Sequence, residues 1–111
     1  LKEASRKKAM FAQVLEIDAE DSIALFGMGS TLAVLGEHEE ACVHLARAAE
    51  VDASNSAVYL RWGRSLEALS RELDAVEIYR KGMDVASRRG DLMPLREMEH
   101  RVLILEAGQV S

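Results

Sequence analysis

Apolar residues recur at threes and fours along most of the chain. They fall at Leu25, Met28, Leu32 and Leu35, then at Ala41, Leu45 and Ala48, then at Tyr59, Trp62, Leu66 and Leu69, and later at Leu92, Leu95, Met98, Val102 and Leu105. That period marks helices buried on one face. No alternating run of Val, Ile or Thr bounded by turn residues interrupts it, and there is a single proline, so the fold class is all-α. Punctuation places the ends. Asp21-Ser22 offers N-cap oxygens for a helix to about Leu35, and Gly36 suits the left-handed residue that ends it. The next helix begins near Glu37 or His38, with acids in its first turn, and runs to about Val51. The following helices span roughly Ser56 to Leu69 and Glu72 to Arg89, with Gly90 beyond. A last helix is capped by Asp91, tolerates Pro94 in its first turn and closes at Gly108.

The pattern repeats. Laying Ser22–Asn55 on Ser56–Arg89, an offset of 34 residues, puts Gly29 on Gly63, Met28 on Trp62, Leu32 on Leu66, Ala41 on Ala75, Leu45 on Tyr79 and Val51 on Val85. One unit earlier, Phe11 falls on Leu45 and Ile17-Asp18-Ala19 on Val51-Asp52-Ala53, so the chain opens with a second helix that lacks its first. Four segments follow: a half repeat over 1–21, full repeats over 22–55 and 56–89, and a capping helix over 90–111. In the opening half unit Lys7 stands where the full units have the small Ala41 and Ala75. Either a partner helix is missing and Lys7 reaches past it by its alkyl stem, or the array starts here. In the last segment the 34-residue register puts Glu97 in the glycine position, so it is not a third complete unit, and one apolar stripe with charge elsewhere suits a cap. Leu103 and Ile104 lie off that stripe, as ordinary exposed apolars or as part of a self-association face.

Leu25, Met28-Gly29, Leu32, Ala41, Leu45 and Ala48, and more closely Tyr59, Trp62-Gly63, Leu66, Ala75, Tyr79 and Gly82, resemble the tetratricopeptide repeat signature. Two departures are visible. The proline that closes a unit is Ala53 in one copy and Ser87 in the other, which softens the turn between units, and Gly36 is replaced by Ser70. The resemblance implies right-handed antiparallel helix-pair repeats, a TPR-like α-solenoid of about six helices with a C-terminal capping helix. It also implies that the first helices line a concave groove that receives a peptide or a partner helix. On the first full helix Ile23, Phe26, Gly27, Ser30 and Val34 form the side opposite the repeat core, and the matching positions are Ala57, Leu60, Arg61, Arg64 and Ala68. Ile23, Phe26, Ser30, Leu60, Arg61 and Arg64 are therefore the expected peptide-binding residues. Phe26 and Leu60 would hold an apolar anchor and the arginines a carboxylate. Alternatively, neighbouring first helices bury Ile23, Phe26 and Leu60 against one another and leave the arginines to solvent. The lysines and asparagines of carboxylate-clamp relatives are missing from this face, so chaperone-tail recognition of that type is not expected.

Composition narrows the function classes. The 111 residues carry 14 basic and 19 acidic side chains, a net charge of −5. The first full unit sets Arg47 against five acids for −4, and the second holds seven basic and five acidic residues for +2. An acidic chain of this kind predicts no nucleic-acid partner, and the basic cluster Arg6-Lys7-Lys8 reads as a solvated face before a docking patch. No segment is long and apolar enough for a membrane span. The lone Cys42 cannot form an internal disulfide and fits a reducing, cytoplasmic compartment. The chain opens with Leu1 rather than Met, which points to a piece excised from a longer protein. Catalytic chemistry has little footing. Cys42 and His44 stand two apart on a helix and point about 200° away from each other, so they do not share a metal ion. His38 and His100 lie on different helices. Gly27-Met28-Gly29 sits inside a helix rather than after a strand, and so is no phosphate-binding loop. Trp62 and Tyr79 hold core positions of the repeat. The expectation is a protein or peptide partner, with neither cofactor nor metal. The alternative is self-association, as a homo-oligomer or within a larger parent chain, through the exposed terminal helices.

Overall fold

The computed structural model describes residues 1–109, all arranged in six helices and short turns. These are α1 (Lys2–Ile17), α2 (Ser22–Val34), α3 (His38–Val51), α4 (Ser56–Ala68), α5 (Glu72–Arg89) and α6 (Leu92–Gln109). The connections are short, so consecutive helices lie antiparallel and each packs on the next. The backbones of α2 and α4, and of α4 and α6, also come close, whereas those of α1, α3 and α5 stay more than 8 Å apart. A stack whose alternate helices meet on one side and part on the other is curved. The layer of α2, α4 and α6 is its inner face, and the layer of α1, α3 and α5 its outer face. The result is elongated, 45 × 29 × 19 Å.

Small residues set the spacing within each pair. A Cβ on Gly29 would lie 2.5 Å from Cγ of Leu45 and 3.3 Å from the Ala41 carbonyl, and a Cβ on Gly63 would enter the Tyr79 ring. These contacts bury Leu32, Ala41, Leu45, Ala75 and Tyr79 almost completely. At about 25 cal/mol per Å² of apolar surface removed from water, that burial is the main favourable term. Two apolar clusters result, one centred on α2 and α3 and one on α4, α5 and α6, and Ala49 and Trp62 pack against both.

The turns inside the two units are alike despite their different residues. After α2, the Glu37 amide donates to the Leu32 carbonyl at 2.9 Å and the Gly36 amide to Ala33 at 3.0 Å. After α4, Arg71 donates to Leu66 at 2.9 Å and Ser70 to Glu67 at 2.9 Å. Both are Schellman turns, which need a left-handed residue. Gly36 supplies it at φ 79°, and Ser70 takes the same region at φ 58°. Serine thus makes the turn that its partner unit builds with glycine, at a steric cost to the backbone.

Missing prolines have unequal effects. At Ala53 an aspartate does the turning: Asp52 Oδ1 accepts from the Ser54 amide at 3.1 Å and from the Ser54 hydroxyl at 2.6 Å. The hydroxyl bond first, and the amide bond with it, hold the Asp52 carboxyl below its usual range. At Ser87 nothing stops the helix. α5 runs on to Arg89 and has 18 residues where α3 has 14.

That extension resets α6. Leu95, Met98, Val102 and Leu105 stand two residues beyond the 34-residue register from Tyr59, Trp62, Leu66 and Leu69. In this shifted register Met98 fits against Gly82 and Tyr59 and is fully buried. α6 packs on α5 and α4 as the first helix of a further unit would. Two expectations at its ends need correction. The Asp91 carboxylate is engaged by the Ser56 hydroxyl at 2.9 Å and Arg89 Nε at 3.2 Å, and only its backbone carbonyl meets α6, at the Leu95 amide. Gly108 does not close the helix, which continues to Gln109. Residues 110 and 111 of the capping segment lie outside the described residues. At the other end α1 packs on α2 alone, with Phe11 over Gly27, and Lys7 is exposed beside Glu3 at 3.5 Å.

Candidate partner-binding face

The inner face is built from α2, α4 and α6, and its residues were drawn into the stack to different depths. Ile23, near the start of α2, is 78% exposed. Phe26, one turn on, is half-buried against the α2–α3 cluster. Leu60 on α4 is only 9% exposed and belongs to the α4–α6 core. The apolar positions of this face thus divide: Leu60 is spent on packing, Phe26 is shared, and Ile23 is open together with Val34, which is 65% exposed.

The two arginines also diverge. Arg61 lies over the Phe26 ring, its Cζ 5.7 Å from the centroid, within cation–π range. Arg64 reaches along the face to α6 and binds Glu97 at 2.5 Å. The carboxylate expected from a partner is already supplied by the chain. Glu97 was not legible as a member of this face, because its place depends on the two-residue shift of α6. Gly27, grouped with the face by periodicity, lies instead under Phe11 at the α1–α2 contact.

Beside Arg61 the face deepens into a cleft of about 430 Å³ between the start of α1 and the last turns of α2, lined by Ala4, Lys7, Ser30, Thr31, Val34 and Arg61. Ser30 is the expected site residue with an unmet need. Its Oγ is buried and has no hydrogen-bond partner among the described residues.

A polar lock closes the far end of α4. Glu67 receives both arms of the Arg101 fork, Nε at 3.0 Å, and the Tyr79 hydroxyl at 2.6 Å. Burial alone would raise the Glu67 carboxyl, but the Arg101 and Tyr79 hydrogen bonds outweigh it and hold it below its usual range. The same contact works in reverse on Tyr79. Burial, then the Glu67 carboxylate, pushes the phenol far up. This lock ties α4, α5 and α6 together and fixes the floor of the inner face. His38, a candidate ligand by residue type, meets the Ser65 hydroxyl at 3.2 Å. No group of three His, Cys, Asp or Glu suited to a metal ion occurs among the described residues, and no helix among them is long and apolar enough to cross a membrane.

No family model matches the chain, and no curated protein matches its sequence. Solved structures do match, over nearly its whole length. The TPR2B domain of yeast Sti1, in its pHsp70 complex, aligns with 96% of this chain and 86% of its own at 16% identity and a TM-score of 0.88. PcrH, in complex with the chaperone binding region of PopD, aligns over 97% and 82% at 14% identity and a TM-score of 0.93. The Sgt2 TPR domain from Aspergillus fumigatus covers 97% and 72% at 24% identity and a TM-score of 0.77. The fold is that of a tetratricopeptide-repeat domain. At these identities the TPR likeness rests on shape, and that shape comes from the Gly29–Ala41 and Gly63–Tyr79 contacts described above.

Proposed function

We propose that this TPR domain is a non-catalytic protein-interaction module that takes a peptide or a segment of a partner protein on the inner face of α2, α4 and α6. One observation carries the reading. Ile23 and Val34 are left open at opposite ends of α2, and the cleft beside Val34 is lined by Arg61 and Ser30. A partner segment would lay apolar side chains on Ile23, Val34 and the free edge of Phe26. Arg64 contributes only if a partner carboxylate displaces Glu97. The TPR structures with bound partners, those of Sti1 and PcrH, support an interaction role by shape alone.

The test is affinity capture from source-cell lysate with the parent chain and an Ile23→Asp, Arg61→Glu variant. Both residues are exposed, so helicity should survive; Phe26 is a worse choice because it packs against the core. A protein held by the parent and lost by the folded variant supports the inner face, and equal retention refutes it.

A second reading rests on α6, where Leu103 is 69% and Ile104 44% exposed. Self-association through this end would make sedimentation depend on concentration, and Ile104→Asp would abolish that dependence.

A further inference from the structure

A second and larger cavity opens on the opposite face. Because the backbones of α3 and α5 stay apart, a groove of about 750 Å³ runs between them, floored by Trp62 and Leu66 of α4 and walled by Cys42, Val43 and Ala46 of α3 and Ile78 of α5. Its size is in the range of pockets that bind ligands. The floor is apolar, and Val43 stands 68% exposed at the edge, where an unpartnered helix surface would favour a polar residue. The Cys42 thiol adds no charge, since burial pushes it up from its ordinary value.

The rim has a definite sign. Arg71 is bound to Asp74 at 2.8 Å and Lys81 to Glu77 at 3.6 Å, so those four charges cancel. Glu39 and Glu40 remain, both exposed in the first turn of α3 and in no ion pair among the described residues. Their place suits the α3 dipole, and it leaves their carboxylates free to meet a cation. An apolar trough between two helices with an anionic rim selects against nucleic acids and acidic peptides.

We propose that this outer groove docks a short amphipathic helix of a protein partner, with leucine-like side chains seated against Trp62 and Val43 and lysine or arginine side chains beside Glu39 and Glu40. The site is independent of the inner face. One partner could therefore occupy each side of the domain at once.

Trp62 is the only tryptophan and reports on the groove directly. The experiment titrates the chain with a synthetic helical peptide of about twelve residues, leucines at i, i+3, i+4 and i+7 and lysines on the other face, and follows Trp62 emission. A second peptide replaces every lysine with glutamate. The lysine peptide should change the emission saturably and the glutamate peptide should not. Glu39→Gln, Glu40→Gln should weaken binding roughly threefold to tenfold, Val43→Arg should weaken it further, and the inner-face variant Ile23→Asp, Arg61→Glu should bind as the parent does. No saturable change, equal binding of both peptides, indifference to the Glu39 and Glu40 changes, or loss of binding in the inner-face variant would each overturn the proposal.

Discussion

Ser70 shows how one side chain can be tolerated without being suited to its place. It occupies the left-handed position of a Schellman turn at φ 58°, where the other unit has Gly36 at φ 79°. Ser70→Gly should therefore stabilise the fold by about 0.5–1 kcal/mol, read as a higher denaturant midpoint at constant slope. Glu67 poses the opposite case, a charge held where it is needed. Its carboxyl is depressed below the ordinary value of 4.5, so its contribution is complete above that value and is lost as the pH falls through the folded one. Glu67→Gln should cost roughly 1–2 kcal/mol at neutral pH, allowing for partial exposure. The gap between the two proteins should close on acidification, as denaturation followed from pH 7 to about 3 will show.

Among the elements, the sequence was most readable where a turn residue and an apolar stripe agreed. Gly36, Asp21 and Gly90 mark helix ends that lie where they point, and the φ of 73° at Gly90 meets the requirement of its cap. It was least readable where an expected residue was missing. The lack of proline at Ser87 lets α5 run on, which shifts α6 by two residues and brings Glu97, rather than open solvent, to Arg64. The inner face depended on that shift, so its residues could be named from periodicity while the burial of Leu60 and the engagement of Arg64 could not. Proline substitution separates the two turns. Asp52 has φ −138° and ψ 92°, which accommodates a following proline, so Ala53→Pro should be neutral or stabilise by up to about 1 kcal/mol. Ser87→Pro falls inside α5 and should destabilise by about 3 kcal/mol, although the repeat signature that the chain resembles usually has proline there. Thermal unfolding of the two variants measures both.

At the scale of the molecule, stability and the proposed binding face share the inner layer. α6 completes the core with Met98, which is fully buried against Gly82 and Tyr59. Met98→Ala should cost about 2–5 kcal/mol by calorimetry or denaturant titration. The same helix supplies Glu97 to Arg64 and Arg101 to Glu67, so the end of the stack also holds the inner face in shape. If the proposed binding holds, a face preformed in this way would limit the ordering cost of taking a partner. The most direct measurement of where a partner sits is photocrosslinking from single positions, with a benzophenone side chain placed at Ile23 on the inner face or at Asp84 on the outer layer. For a partner that the Ile23→Asp, Arg61→Glu variant fails to hold, the account predicts a crosslink from position 23 and not from position 84. A crosslink from position 84 alone, with none from position 23, would contradict it.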